Sequence, residues 1–77
     1  MKVNIVSPEK TLYAGEAEGV IVPGENGQFE VLQNHAPIIS ILTKGTVVCR
    51  GKEDFRMEIS SGFIEVANNV VSICVER

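Results

Sequence analysis

The segment from Val22 to Pro37 constrains the fold more than any other part of the chain. It holds two of the three prolines, two of the seven glycines and the only histidine. Pro23 fixes φ and lacks a backbone donor, so a strand before it should end there. Gly24 and Gly27 bracket a dipeptide where the chain can reverse. The segment therefore predicts a strand, a tight turn, a second strand and a loop that Pro37 restrains.

Short strand-like runs fill the rest of residues 1–77. Apolar residues alternate with polar ones between Phe55 and Ser60, which is typical of a strand with one wet face. Turn-forming residues separate such runs at close intervals, and no window shows a convincing helical period with caps. The pattern predicts one all-β, antiparallel domain, a sandwich or a barrel, with about eight to ten short strands. The predicted inward-facing residues are Phe29, Val31, Phe55, Met57 and Ile59.

Charge and cysteine usage exclude several classes of protein. The net charge is −3, and no basic stripe of the kind that nucleic-acid binders carry is present. No segment approaches the roughly 20 apolar residues of a membrane-spanning helix, and no secretory leader is evident at Met1-Lys2. Cys49 and Cys74 lie inside strand-like runs, which favours buried, reduced thiols over a zinc site.

The sequence predicts no catalytic residue, no metal and no cofactor. His35 is the only candidate base near neutral pH, and its nearest serine in sequence is Ser40. A histidine beside asparagine and Ala-Pro is more typical of a loop residue that bonds backbone groups. The Gly24–Gly27 spacing is followed by a strand and not by a helix, so it does not predict a phosphate-binding loop.

Two other functions are compatible with a small β domain. A lipoyl- or biotinyl-like carrier presents a lysine at a hairpin tip, and Lys44 between Thr43 and Gly45 is the only candidate. A small ligand-binding β module for sugars would need exposed aromatic platforms. The chain has only three phenylalanines, one tyrosine and no tryptophan, and the phenylalanines sit in patterns more consistent with core.

Motifs spread over nearly the whole chain resemble the N-terminal β-sandwich domain of the epsilon subunit of F-type (proton-translocating) ATP synthases. Residues 5–9 resemble its opening strand and turn. Pro23-Gly24, the Gly-x-Phe of the central segment and His35-Ala36-Pro37 follow in the family's order. Residues 61–66 and 68–71 are similar to its closing hairpin. Glu30 and Gln33 depart from the Gly and Pro that the family most often has, and the family's C-terminal helical hairpin has no counterpart in this sequence.

The resemblance implies two sheets of about five strands each, packed face to face. It also implies a non-catalytic subunit of the central stalk, or rotor, that couples proton transport to ATP synthesis. Its partners would be the gamma subunit and the polar loops of the c-ring, within an assembly of alpha, beta, gamma, delta and epsilon subunits. Its place would be peripheral, at the cytoplasmic face of the bacterial inner membrane.

The family's contacts can be carried over to particular positions. The predicted c-ring contacts are the residues of the central turn, Glu25, Asn26, Gly27 and Gln28. The segment from Ile38 to Leu42 is apolar on both faces although the core needs only one, so we expect a partner patch around Ile38, Ser40 and Leu42. With that patch, the predicted gamma-facing residues are Ser7, Pro8, His35, Ala36, Pro37, Ile38, Ser40 and Leu42.

Overall fold

Nine strands and their connections make up the fold in a computed structural model that describes all 77 residues. Alternating and β-branched runs form the strands, and residues that tolerate turns separate them. The strands are β1 (Lys2–Val6), β2 (Thr11–Glu16), β3 (Gly19–Gly24), β4 (Gly27–Leu32), β5 (Ile38–Leu42), β6 (Gly45–Arg50), β7 (Phe55–Ile59), β8 (Ser61–Ala67) and β9 (Val70–Glu76).

The strands form two layers joined at one corner. The first layer has the order β2-β1-β9-β8-β5, and the second has β4-β3-β6-β7. The corner lies where β5 meets the end of β3, with Gly24 opposite Leu42. The amide of Thr43 donates to the carbonyl of Pro23 over 2.8 Å there. The predicted all-β, two-sheet sandwich is confirmed.

One strand pair departs from the antiparallel expectation. β1 and β9 run parallel, from Lys2 opposite Val70 to Val6 opposite Cys74. A parallel pair needs a long connection and cannot be a hairpin. The first and last strands meet this condition because the seven other strands connect them. The two chain termini therefore lie at opposite ends of this strand pair.

Apolar side chains from both layers fill the space between the sheets. Seventeen buried residues form one cluster, and no polar or charged residue is buried. Of the five predicted core residues, Val31, Met57 and Ile59 are buried. Phe29 and Phe55 are half-buried and pack against the cluster from its rim. The ring of Phe55 contacts Tyr13 with centroids 4.6 Å apart, where β7 meets β2 across the open edge of the sandwich.

The central segment folds as predicted except at Pro23. β3 continues through this proline to Gly24, because Pro23 pairs with Gln28 and offers its carbonyl to Thr43 without needing an amide hydrogen. The chain then reverses, and Gly27 takes φ 124°. Gly24 is required for a different reason, which is lack of space. A Cβ there would lie 2.7 Å from the Gly27 carbonyl oxygen.

The predicted hairpin at Asn68-Asn69 is confirmed. Both asparagines take positive φ, at 53° and 61°, as a two-residue turn between right-twisted strands requires. Asn tolerates this conformation better than most residues. The turn fixes the register of β8 on β9, with Ala67 opposite Val70 and Ser61 opposite Glu76.

The tightest approach of two strands lies at Gly62 and supports a test of this register. A methyl group at Gly62 would overlap the carbonyl oxygen of Cys74 and lie 3.1 Å from the Cα of Val75, both in the backbone of β9. We expect Gly62→Ala to cost about 1–3 kcal/mol of unfolding free energy in urea denaturation, because a paired strand cannot move aside. Gly51→Ala is the control, since its nearest neighbour would be 3.9 Å away. Equal midpoints for both variants would contradict the pairing.

Candidate docking surfaces

The outer side of the first layer carries a row of apolar side chains that runs across four strands. Strand register places Val6 beside Cys74, Cys74 beside Phe63, and Phe63 beside Ile41. Ile39 lies two residues from Ile41 on the same side of β5. We call Val6, Ile39, Ile41, Phe63 and Cys74 the outer apolar face.

Exposure on β5 corrects the predicted partner patch. Ile39 is 76% exposed and Ile41 is 58% exposed, whereas Leu42 is 1% exposed and belongs to the core. Ile38 and Ser40 are half-buried on the same inner side as Leu42. Successive side chains in a strand alternate between faces. The predicted patch therefore lies on the inner face of β5, and the exposed apolar residues lie on the opposite face. Leu42 therefore has no free surface to offer a partner.

Phe63 was also expected in the core and is 46% exposed. It lies opposite Ile41 in the pairing of β5 with β8, and opposite Cys74 in the pairing with β9. Its aromatic ring is the largest side chain on the outer apolar face. Single exposed apolar residues are common, but a contiguous set on one sheet face is typical of an interaction surface.

Two shallow cavities bring other predicted residues to this face. The first, of about 370 Å³, joins Ser7 and Pro8 to Phe63 and Cys74. The second, of about 360 Å³, joins Pro37 to Ile39. Ser7, Pro8 and Pro37 thus lie at the two ends of the outer apolar face. Sequence reasoning found these ends, but it missed Val6, Ile39, Ile41, Phe63 and Cys74 between them.

His35 bonds within its own loop. Its Nδ1 lies 2.7 Å from the carbonyl oxygen of Ala36, and its amide donates to the carbonyl of Leu32 over 3.2 Å. A carbonyl oxygen can only accept, so Nδ1 is the donor in this contact. The expectation that His35 bonds backbone groups is confirmed. The ring is half-buried and Ala36 is exposed.

Gln33 and its neighbours anchor the same loop to other strands. The Oε1 of Gln33 accepts from the amino group of Met1 over 2.8 Å and from the Nδ2 of Asn69 over 3.3 Å. The Oδ1 of Asn69 accepts from the amide of Asn34 over 2.8 Å. The loop after β4 is therefore held against the β8–β9 turn by side-chain hydrogen bonds, and Gln33 supplies one that a proline side chain lacks.

The other departure from the family pattern, Glu30, forms the only ion pair of the structure. Its Oε2 lies 2.6 Å from both Nε and Nη2 of Arg50, and the pair crosses over Gly19. Both side chains are partly exposed, so the pair contributes about 0–1 kcal/mol. It links β4 to β6 across β3 and leaves the strand pairing unchanged.

The central turn forms a second exposed surface beside the outer apolar face. Glu25, Asn26, Gly27 and Gln28 are all exposed. The amide of Glu25 donates to the carbonyl of Ile41 over 3.0 Å, so the turn is attached to β5 at the outer apolar face. A rigid turn with outward-facing polar side chains can contact another molecule without a conformational change.

Of the two cysteines expected to be buried, Cys49 is buried in the core, whereas Cys74 is only half-buried on the outer apolar face. Burial raises the pKa of the Cys49 thiol to about 11, because a thiolate would lose its hydration inside the sandwich. Burial, and to a lesser degree the charge of Cys49, raises the pKa of Tyr13. Cys49 therefore stays protonated at neutral pH and acts as a small apolar core residue.

Lys44 lies on a crossover and not at a hairpin tip. β5 pairs with β8 and β3, whereas β6 pairs with β3 and β7, so the turn at Thr43–Gly45 carries the chain from one layer to the other. This placement differs from the protruding hairpin of a carrier domain.

No group of three or more His, Cys, Asp or Glu side chains is arranged to hold a metal ion. The fold contains no helix of the length and apolarity needed to cross a membrane.

Known proteins resemble this chain over its full length. The family model described as "ATP synthase, Delta/Epsilon chain, beta-sandwich domain" matches residues 1–77. The ATP synthase epsilon chain of Leptospira interrogans is 40% identical over 78 aligned residues, which cover 100% of this chain and 61% of that protein. The ATP synthase epsilon chain of Maricaulis maris is 47% identical and is covered to 56%. This chain thus spans about three fifths of the length of these relatives.

Solved structures share the fold at lower identity. A chain from the central stalk and c-ring of the Tetrahymena thermophila mitochondrial ATP synthase superposes with a TM-score of 0.85 at 13% identity, covering 99% of this chain and 63% of that one. A chain of the Euglena gracilis mitochondrial ATP synthase gives a TM-score of 0.89 at 18% identity, with coverage of 97% and 49%. The two-layer sandwich is therefore shared with both.

Proposed function

Because the chain belongs to the ATP synthase delta/epsilon β-sandwich family, we propose that it is a non-catalytic epsilon subunit of the F-type ATP synthase central stalk. In this role it links the gamma subunit to the c-ring and couples proton transport to ATP synthesis. The full-length match to the family, at 40–47% identity to named epsilon chains, carries the proposal. The subunit would lie peripherally at the cytoplasmic face of the bacterial inner membrane.

The outer apolar face is the proposed contact for gamma. Its exposed side chains, Ile39, Ile41 and Phe63, lie on paired strands and offer a preformed apolar surface. Ser7, Pro8 and Pro37 border it through the two cavities. Burying this surface against a partner would also stabilise a small domain by mass action. Of the other predicted contacts, His35 and Ala36 remain proposed beside this surface, whereas Ile38 and Ser40 lie on the inner side of β5 and do not belong to it.

The central turn is the proposed contact for the polar loops of the c-ring. Glu25 carries the only charge in the turn, and Gln28 adds a neutral polar group. Because the turn is attached to β5 through Ile41, the proposed gamma and c-ring contacts are adjacent on one rigid body. Force applied at one contact can therefore reach the other without passing through a flexible linker.

A charge reversal in this turn should impair coupling without affecting assembly. We expect Glu25→Lys with Gln28→Lys to fold and to bind gamma, because both side chains are exposed and neither belongs to the outer apolar face. A single surface ion pair contributes only about 0–1 kcal/mol, so the double variant is needed for a clear effect. Proton-driven ATP synthesis in reconstituted membranes should fall. Glu18→Lys with Glu53→Lys, exposed at the opposite end of β3 and β6, is the control. Synthesis equal to that of the parent would remove the turn from the c-ring interface.

A direct test of the proposed role is assembly with gamma. The tagged chain should copurify with the gamma subunit when the two are co-expressed, and it should gain no cofactor adduct in its intact mass. Failure to bind gamma, with the chain folded, would contradict the proposal. A lipoyl or biotinyl adduct on Lys44 would support the carrier alternative instead.

A further inference from the structure

The central turn contains a sequence that is chemically labile. The chain has five asparagines, at positions 4, 26, 34, 68 and 69, and only Asn26 precedes a glycine. Glycine has no Cβ to shield its backbone nitrogen, so that nitrogen can approach the side chain of the residue before it. The residues after the other four asparagines all carry side chains that obstruct this approach.

The fold leaves Asn26 open to the reaction. Asn26 and Gly27 are both exposed, and, apart from the adjoining Asn26 and Gln28, no heavy atom lies within 4 Å of the Cβ position of Gly27. The carboxamide of Asn69, in contrast, accepts from Asn34 over 2.8 Å and donates to Gln33 over 3.3 Å. Asn26 has no comparable hydrogen bond to hold its side chain away from the Gly27 nitrogen.

From these observations we propose that Asn26 is a site of spontaneous deamidation in the folded protein. The Gly27 backbone nitrogen gives its proton to a solvent base and attacks Cγ of Asn26. A C–N bond forms, the bond from Cγ to the side-chain amide nitrogen breaks, and that nitrogen takes a proton from solvent and leaves as ammonia, so a succinimide ring remains. One water molecule then opens the ring at either carbonyl, giving aspartate or isoaspartate. The net change is the uptake of one water molecule and the loss of one ammonia molecule, with no oxidation or reduction.

The product changes both the charge and the backbone of the turn. A new carboxylate appears beside Glu25, so like charges become neighbours. In isoaspartate the main chain runs through the side chain and gains one carbon before Gly27. That extra carbon opposes the pairing of Gly24 with Gly27 that closes the turn. An effect on a c-ring contact rests on the proposed function, whereas the deamidation itself does not.

Peptide mapping of the aged protein tests the proposal. The folded chain is incubated in mildly alkaline buffer, digested and analysed by mass spectrometry, with isoaspartate detected by enzymatic methylation. We expect the intact Asn26 amide to be lost while the other four asparagines remain, and the loss to accelerate with pH. Asn26→Gln, whose longer side chain cyclises slowly, should keep the turn peptide unmodified.

A parallel incubation of the denatured chain shows whether the fold protects Asn26 from deamidation. If Asn26 reacts only in the denatured chain, the folded turn protects it and the proposal is wrong. Earlier loss of any other asparagine in the folded chain would also overturn it. Because no partner protein is present, a negative result leaves the binding of gamma and of the c-ring untouched.

Discussion

Replacing Leu42 by alanine should lower the free energy of unfolding by about 2–5 kcal/mol, because the side chain is fully buried and its removal leaves a cavity. The neighbouring Ile41→Ala should change stability by no more than about 0.5 kcal/mol, since its side chain is mostly exposed. Urea denaturation followed by circular dichroism measures both. The two residues are adjacent and similar in size, so the difference reports the face on which each side chain lies.

The opposite ranking would contradict the structure. If Ile41→Ala were the more destabilising variant, β5 would face the core with Ile39 and Ile41, as a register shift of one residue relative to β8 would require. Equal losses would indicate that both sides of β5 are enclosed. Either result would contradict the exposure of Ile39 and Ile41, on which the outer apolar face depends.

A double charge substitution on the outer apolar face should strongly weaken the binding of gamma. We expect Ile41→Glu with Phe63→Glu to cost at least about 2 kcal/mol of binding free energy, roughly a 30-fold loss of affinity, because carboxylates would be buried unpaired against an apolar partner. Titration calorimetry with purified gamma measures the loss. The domain should remain folded, since neither side chain points between the sheets.

Leu32→Glu is the matched control for that double variant. Leu32 is 52% exposed, but it lies on β4 in the second layer, away from the outer apolar face. This substitution should leave gamma binding near the parent value. Binding that survives the double variant, or that is lost equally with Leu32→Glu, would show that gamma docks elsewhere.

Local chemistry explains which parts of the fold could be predicted from the sequence. The turns at Gly24–Gly27 and Asn68-Asn69 depend on residues that tolerate reversal, so their positions are evident without a structure. The strand from Phe55 to Ile59 has clean alternation, so its buried side was predicted correctly at Met57 and Ile59. The family resemblance added the two-layer arrangement, which periodicity alone does not distinguish from a barrel.

The face of β5 could not be chosen from its own sequence. Four of its five residues are apolar, so alternation within the strand favours neither side. The choice comes from the pairing with β8, which places Ile39 beside Glu65 and Ser40 beside Ile64. Glu65 identifies the side of the sheet that faces solvent. It can be used to assign the faces of β5 only when the register of β5 on β8 is known. The parallel pairing of β1 with β9 joins the two ends of the sequence, so no local turn motif predicts it.

An isoleucine-methyl NMR titration of the domain with unlabelled gamma locates the gamma-binding surface residue by residue. We expect the methyl signals of Ile39 and Ile41 to shift or broaden on binding. Ile21, which is half-buried on β3 in the second layer, should keep its signal position. Changes at Ile21 with none at Ile39 and Ile41, or no binding at all, would contradict the assignment of the outer apolar face to the gamma subunit.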